Sequence, residues 1–213
     1  MSKKLKDFKP TLPLIRSLCN PGMMDRHKLQ IAVAVFGTKI VNGHETTEMF
    51  DSSTETVTSY IVHNKLNEKK DLIEDISDKA SKEFSNMRTM DKMKTDWEPL
   101  IFEALPCAGK DSYILGGEAV ELITTALDDH IIKTQTMKGS PFAKFMLPEI
   151  EKWETTLMRT QENLELWLKV QATWMYLEPV FSSEDIINQM PVEGQKFKEV
   201  NIAWHNLMER IHA

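Results

Sequence analysis

The stretch PEIEKWETTLMRTQENLELWLKVQATWMYLEPVF, residues 148–181, decides the fold. Within it Ile150, Trp153, Leu157, Thr160, Leu164, Trp167, Gln171 and Trp174 follow one another at spacings of three and four, which puts them on one stripe of a helix. Only Thr160 and Gln171 on that stripe are polar. Pro148 fits a first helical turn, where its missing N–H costs nothing, and Pro179 is expected to end the run by pushing Glu178 out of helical geometry. At 1.5 Å per residue the rod is about 45 Å long. Leu166, Leu168, Val170, Met175 and Leu177 add apolar surface off the stripe. The C-terminal end is therefore expected to be enclosed by neighbouring helices, and the charged beginning to stay wet.

Outward from the rod, the same period recurs. Val120, Ile123, Leu127 and Ile131 precede it, and Phe197, Val200, Trp204, Leu207 and Ile211 follow it, after Ser182 or Ser183 caps a short helix through Met190 and Pro191 opens the last one. Ile73, Ile76, Ala80, Phe84, Met87, Met90 and Met93 mark a second long helix over 57–96, with Asp78, Glu83 and the lysines on its outer face and Asn67 as a break. Thr11–Cys19 predicts a short helix. Asn20-Pro21-Gly22 reads as a turn supplying an Asn cap and an N-terminal Pro to the next helix, which carries Met24, His27, Ile31 and Val35 up to Gly37. From Thr38 to Thr56 the pattern fades into an exposed loop containing Asn42-Gly43. Between the helices, residues 97–102 and 112–115 are short β-prone runs around Pro106 and Gly109, predicting one hairpin over 97–117.

The expected fold is mainly α, an elongated bundle of long antiparallel helices with one small β-hairpin: residues 1–56 as N-terminal helices and loop, 57–96 as a long helix, 97–117 as the hairpin, and 118–213 as the helical body containing the helix 148–178. The 213 residues are enough for a real core, and 27% charge with 3.6-residue periodicity is the profile of such bundles. A net charge of −6 argues against a dedicated nucleic-acid binder. No apolar run approaches the roughly 20 residues of a membrane span, and the start is polar rather than a signal peptide. Cys19 and Cys107, far apart and without CxxC, fit a reduced intracellular protein. A soluble cytoplasmic chain without nucleic-acid or membrane partners is expected. Its ends read as those of a fragment.

Chemical motifs are scarce. Around Gly109-Lys110 a phosphate-binding loop would need Gly where Ala104 stands and Ser or Thr where Asp111 stands, so a hairpin turn accounts for the glycine. Asp128, Asp129 and His130 are adjacent on a helix and cannot converge on one ion; a hydrated cap region is the better account. His27, His44, His63, His205 and His212 show no metal spacing, and no GxSxG, catalytic triad or paired-carboxylate cleft can be singled out. No catalytic, cofactor or metal residue is assigned. Trp153, Trp167, Trp174, Leu177, Phe181 and Trp204 are assigned to the core. The hairpin reads equally well as a docking element or as a piece packed on its own helices.

Several blocks then resemble a known family. PLIRSLCNPGMMDRH from Pro13, DISDKASKEF from Asp75, Trp97 through Gly116, LDDHIIKTQTMKGSPFAKF from Leu127, WETTL from Trp153, and above all WLKVQATWMYLEPVFSSEDIINQMPVEGQKF from Trp167 are similar to the linker region of dynein heavy chains, in an axonemal inner-arm flavour. Lys28 stands where the family usually has Trp, residues to about Thr56 match poorly, and Cys107 replaces the usual aromatic residue. The resemblance implies a mechanical lever, itself non-catalytic, lying on the AAA+ ring of the same heavy chain. It implies dynein subunits as partners, a place in the cytoskeleton of cilia or flagella, and ATP and Mg only in the ring, which lies outside this chain. On that reading Leu100, Phe102, Tyr113 or Leu115 of the hairpin contacts the ring. The alternative is a free-standing helical adaptor.

Overall fold

The computed structural model describes residues 9–41, 44–46 and 66–212. Among them the elements are α1 (Leu12–Leu18), α2 (Asp25–Phe36), β1 (Lys39–Val41), β2 (His44–Thr46), α3 (Lys70–Trp97), β3 (Ala104–Pro106), β4 (Tyr113–Leu115), α4 (Gly117–Lys138), α5 (Leu147–Phe181), α6 (Glu184–Gln189) and α7 (Pro191–His212). The chain is mainly α with the expected hairpin, β3–β4, and among the described residues it carries a second antiparallel two-stranded ribbon, β1–β2. β1 and β2 pair with Val41 opposite His44, inside the segment expected to be loop, and the Asn42-Gly43 pair lies outside the described residues. The loop and helix expected over 47–65 also lie outside them; α3 begins only at Lys70, after a 3-10 turn at Leu66–Lys69 that contains Asn67.

The chain divides into two compact units, Met1–Asp91 with Pro141–Phe145, and Lys92–Ser140 with Met146–Ala213. In the first, Leu14, Ile31, Leu66 and Ile73 form the core, with Ile15, Leu18, Met23, Val35 and Ile76 against it. Asn20 does not cap α2, which begins at Asp25. Its Oδ1 instead accepts the Gly22 N–H at 2.9 Å, and its Nδ2 reaches the Ser77 carbonyl and hydroxyl at 2.8 Å and the Ser81 hydroxyl at 2.7 Å, tying the turn to α3. Gly22 is there because a Cβ would sit 2.7 Å from the Ala80 carbonyl oxygen.

In the second unit α4 and α5 run antiparallel: Lys138 pairs with Glu154 at 2.7 Å, Gln161 donates to Asp128 at 3.2 Å, and Gln171 reaches Leu115 just ahead of α4. Their shared core is Leu115, Ile123, Leu127, Leu157 and Leu164. The buried residues of α5 are Ile150, Leu157, Leu164, Gln171 and Trp174, five of the eight stripe positions, while Trp153, Thr160 and Trp167 are half-buried. The helix differs from expectation in two respects. It runs through Pro179 to Phe181, because a proline this near the C-terminus deletes only one bond and the Ser182 and Ser183 N–H groups close the end on the Glu178 and Val180 carbonyls, respectively. Its off-stripe apolar residues are also not enclosed: Leu166 is 62% and Val170 41% exposed. α7 likewise buries Gly194, Trp204 and Met208 and leaves Val200, Leu207 and Ile211 outward.

Candidate functional site

The residue types that could do something chemical or mechanical gather where the β3–β4 hairpin meets α5 and α7. The first strand begins at Ala104 rather than in the run 97–102, because Pro99 and two turn bonds, Glu98 N–H to Thr95 and Leu100 N–H to Trp97, hold that run as an irregular exit from α3. Gly109 takes φ +74° in the turn between the strands, a conformation that favours glycine. Pro106 faces Tyr113 and Ala104 faces Leu115 across the ribbon.

Three devices fix this hairpin. The side-chain amide of buried Gln171 accepts the Leu115 N–H at 2.8 Å and donates to the Leu115 carbonyl at 3.4 Å, as a neighbouring strand would. Lys110, near the tip, pairs with Glu178 on α5, and its ammonium lies 5.2 Å from the centre of the Trp174 ring. The Lys110 hydrogen bond, helped by the Ser182 hydroxyl, holds the Glu178 carboxyl below its usual range. Tyr113 stacks on His212 of α7 with centroids 3.9 Å apart.

Beneath the hairpin lies an aromatic stack. Trp174 and Trp204 are stacked at 5.2 Å, Trp167 meets Trp204 edge-on at 6.4 Å, and Phe181 stacks on Phe197 at 5.1 Å. Trp174 donates its N–H to Asn201 at 2.8 Å. Cys107 and Met208 complete the buried cluster. The structure thus places Trp174 and Trp204 in the core, Trp167, Leu177 and Phe181 half-buried around them, and Trp153 half-buried against the neighbouring cluster of Leu157.

Of the four hairpin residues expected to face outward, Leu115 is core, Leu100 and Tyr113 are half-buried against core clusters, and only Phe102 is exposed, at 41%. The exposed apolar positions that the sequence reading missed are Ile101 at 73% and Leu105 at 40%. Ile101 lies in the irregular run, where no alternation applies, and Leu105 is read as outward only once its pairing with Ile114 is known.

Two buried polar centres were also missed. His130 is not in a hydrated cap; it is buried in mid-α4, where its Nδ1 accepts the Trp97 indole N–H at 2.9 Å. Burial holds its pKa below the ordinary histidine value, against the opposing pull of Asp129 and Asp96, each 3.8 Å from Nε2. In the first unit Glu83 is buried rather than on the outer face. The His27 Nδ1 accepts the Met24 N–H at 3.2 Å, so its proton sits on Nε2 and is donated to Glu83 at 2.8 Å, while Arg26 also bonds that carboxylate. Among the described residues no group of three or more His, Cys, Asp or Glu is placed to hold a metal ion, and no helix is long and apolar enough to cross a membrane.

What this geometry defines is a helical body carrying a hairpin locked onto a long helix. The whole chain, residues 1–213, matches the family described as dynein heavy chain, N-terminal region 2, and belongs to it. It is 44% identical over 205 residues to dynein axonemal heavy chain 3 of Mus musculus, covering 96% of this chain and 5% of the relative. It is 34% identical over 209 residues to dynein axonemal heavy chain 1 of Mus musculus, covering 98% of this chain and 5% of the relative. It is 48% identical over 134 residues to dynein axonemal heavy chain 12 of Homo sapiens, covering 63% of this chain and 4% of the relative. The chain therefore spans about one twentieth of the length of these relatives.

Proposed function

We propose that this chain is part of the linker of an axonemal dynein heavy chain, a lever that carries ATP-driven movement of the AAA+ ring in ciliary or flagellar motility and catalyses nothing itself. The observation that carries the reading is the triple fixing of the hairpin, on α5 through Gln171 and Lys110–Glu178 and on α7 through Tyr113–His212. A lever has to move as a unit, and side-chain bonds between a surface element and a 35-residue helix transmit displacement without slack. Its partners are the AAA+ ring of the same heavy chain and, through it, the other dynein subunits; ATP and Mg belong to the ring.

The energetics are within reach of such a surface. Switching a two-state lever from 1:99 to 99:1 requires about 5.5 kcal/mol of differential contact energy. Burying two or three large apolar side chains in one state alone, at roughly 1.5–3 kcal/mol each, supplies it. In the parent heavy chain, Lys110→Ala combined with Gln171→Ala should slow microtubule gliding while basal ATP turnover persists. Unchanged gliding in that variant would refute the lever reading. The isolated chain should show no ATP turnover and no nucleotide-dependent change in melting temperature.

A further inference from the structure

Between Thr95 and Ile132 the chain carries eight Asp and Glu residues against one lysine and no arginine. That lysine, Lys110, is taken by Glu178. Of the carboxylates, Asp129 is paired with Lys133 and Asp128 accepts a bond from Gln161. Glu98, Glu103, Glu118 and Glu121 are exposed, and no ion pair holds them among the described residues. These four glutamates form an acidic rim that no ion pair neutralises among the described residues.

The same surface is apolar at its centre. The irregular run after α3 and the first turns of α4 enclose a groove of about 410 Å³, lined by Pro99, Leu100, Ile101, Glu103, Ala119 and Leu122. Ile101 is 73% and Leu122 58% exposed there, with Phe102 and Leu105 close by in the chain and also exposed. Large apolar side chains grouped in a groove and rimmed by charge mark a docking surface, whereas singly scattered ones do not. A rim of one sign selects a partner of the other and rejects nucleic acid and anionic lipid.

We infer that the groove between the 99–103 run and the start of α4 receives a basic amphipathic protein segment, its apolar side chains seated on Ile101 and Leu122 and its Lys or Arg residues facing Glu98, Glu103, Glu118 and Glu121. The helix-in-groove mode fits both the dimensions and the chemistry. The inference goes beyond the lever reading: it states the chemistry of a partner, whichever protein supplies it.

Three fluorescent peptides of equal length test it by anisotropy on the 213-residue chain. One has leucines at helical spacing flanked by lysines, the second the same leucines flanked by glutamates, and the third the lysines with serines for leucines. The first should bind at least about tenfold more tightly than the other two. Ile101→Asp with Leu122→Asp, and separately Glu98→Lys with Glu121→Lys, should each weaken it about tenfold, while Asp71→Lys with Asp75→Lys on α3 leaves it unchanged. All six positions are exposed, so the variants should keep wild-type helicity by circular dichroism. Equal binding of the serine peptide, or equal loss in the α3 variant, would mean attraction to an acidic chain at large and overturn the inference. So would tighter binding of the glutamate peptide, or no binding of the first at millimolar concentration. Self-association abolished by removing the basic residues Lys3, Lys4 and Lys6 would replace the external partner by a second copy.

Discussion

Gln171 on α5 satisfies both backbone groups of Leu115, accepting its N–H at 2.8 Å and donating to its carbonyl at 3.4 Å. Both residues are buried, so neither backbone group can turn to water instead. Gln171→Leu keeps the volume and removes the partners. It should destabilise the chain by about 1–3 kcal/mol in urea unfolding, the cost of leaving a buried donor and acceptor unmet. Gln171→Glu keeps the acceptor for the N–H but faces the carbonyl with a charge, and should also be destabilising. A neutral Gln171→Leu would mean the hairpin is held by its apolar contacts alone.

Gly22 approaches α3 more closely than any side chain allows, since a Cβ would lie 2.7 Å from the Ala80 carbonyl oxygen and 2.9 Å from the Phe84 Cβ. Both are fixed atoms of a helix rather than flexible ends. Gly22→Ala should therefore cost about 1–3 kcal/mol. Gly117→Ala, at the start of α4 with nothing within 4 Å of the added carbon, should be neutral or stabilise by about 0.4–1 kcal/mol. Thermal melts of the two variants should move in different directions or differ clearly in size.

Periodicity carried most of the fold. The stripe through Ile150, Leu157, Leu164 and Trp174 is legible because each apolar residue repeats at helical spacing. Leu166 and Val170 misled because apolarity gives no direction without the position of the neighbouring helices. Pro179 misled because a proline's cost depends on how many bonds follow it, and here the helix ends two residues later. Glu83, His130 and Gln171 were illegible as buried partners: a polar residue on a helix looks solvated until the residue that meets it, His27, Trp97 or Leu115, is brought across some 30 to 60 positions of chain.

His130 gives the second unit a pH dependence whose sign follows from its environment. Burial lowers its folded-state pKa below the ordinary value of about 6.5, and the Trp97 N–H bond at Nδ1 requires a ring nitrogen free of its proton. Asp96, Asp129, Lys133 and Lys92 face it from α3 and α4, the two acids opposing the burial and the two lysines adding to it. Above about pH 6.5 the ring is neutral in both folded and unfolded chains and this contribution is fully present. As pH falls through that value the unfolded chain takes the proton first, and stability is lost until the folded-state pKa is reached. The melting temperature should drop between about pH 7 and pH 5, and drop less in His130→Gln, which can still accept the indole N–H. Parallel curves for the two proteins would assign the dependence to other groups.

Trp174 and Leu166 lie on the same helix and are both large and apolar, yet the first is 2% and the second 62% exposed. Trp174 stacks on Trp204, donates to Asn201 and receives the Lys110 ammonium over its ring, so its removal disturbs the hairpin clasp as well as the core. Trp174→Ala should cost about 3–5 kcal/mol. Leu166→Ala should stay within about 0.5 kcal/mol of the parent, since a leucine in water loses little on truncation. The contrast also separates stability from transmission: a cost at Trp174 accompanied by weaker protection of the Leu115 amide in hydrogen exchange ties the stack to the hairpin. Unaltered protection would make the stack a core feature independent of it.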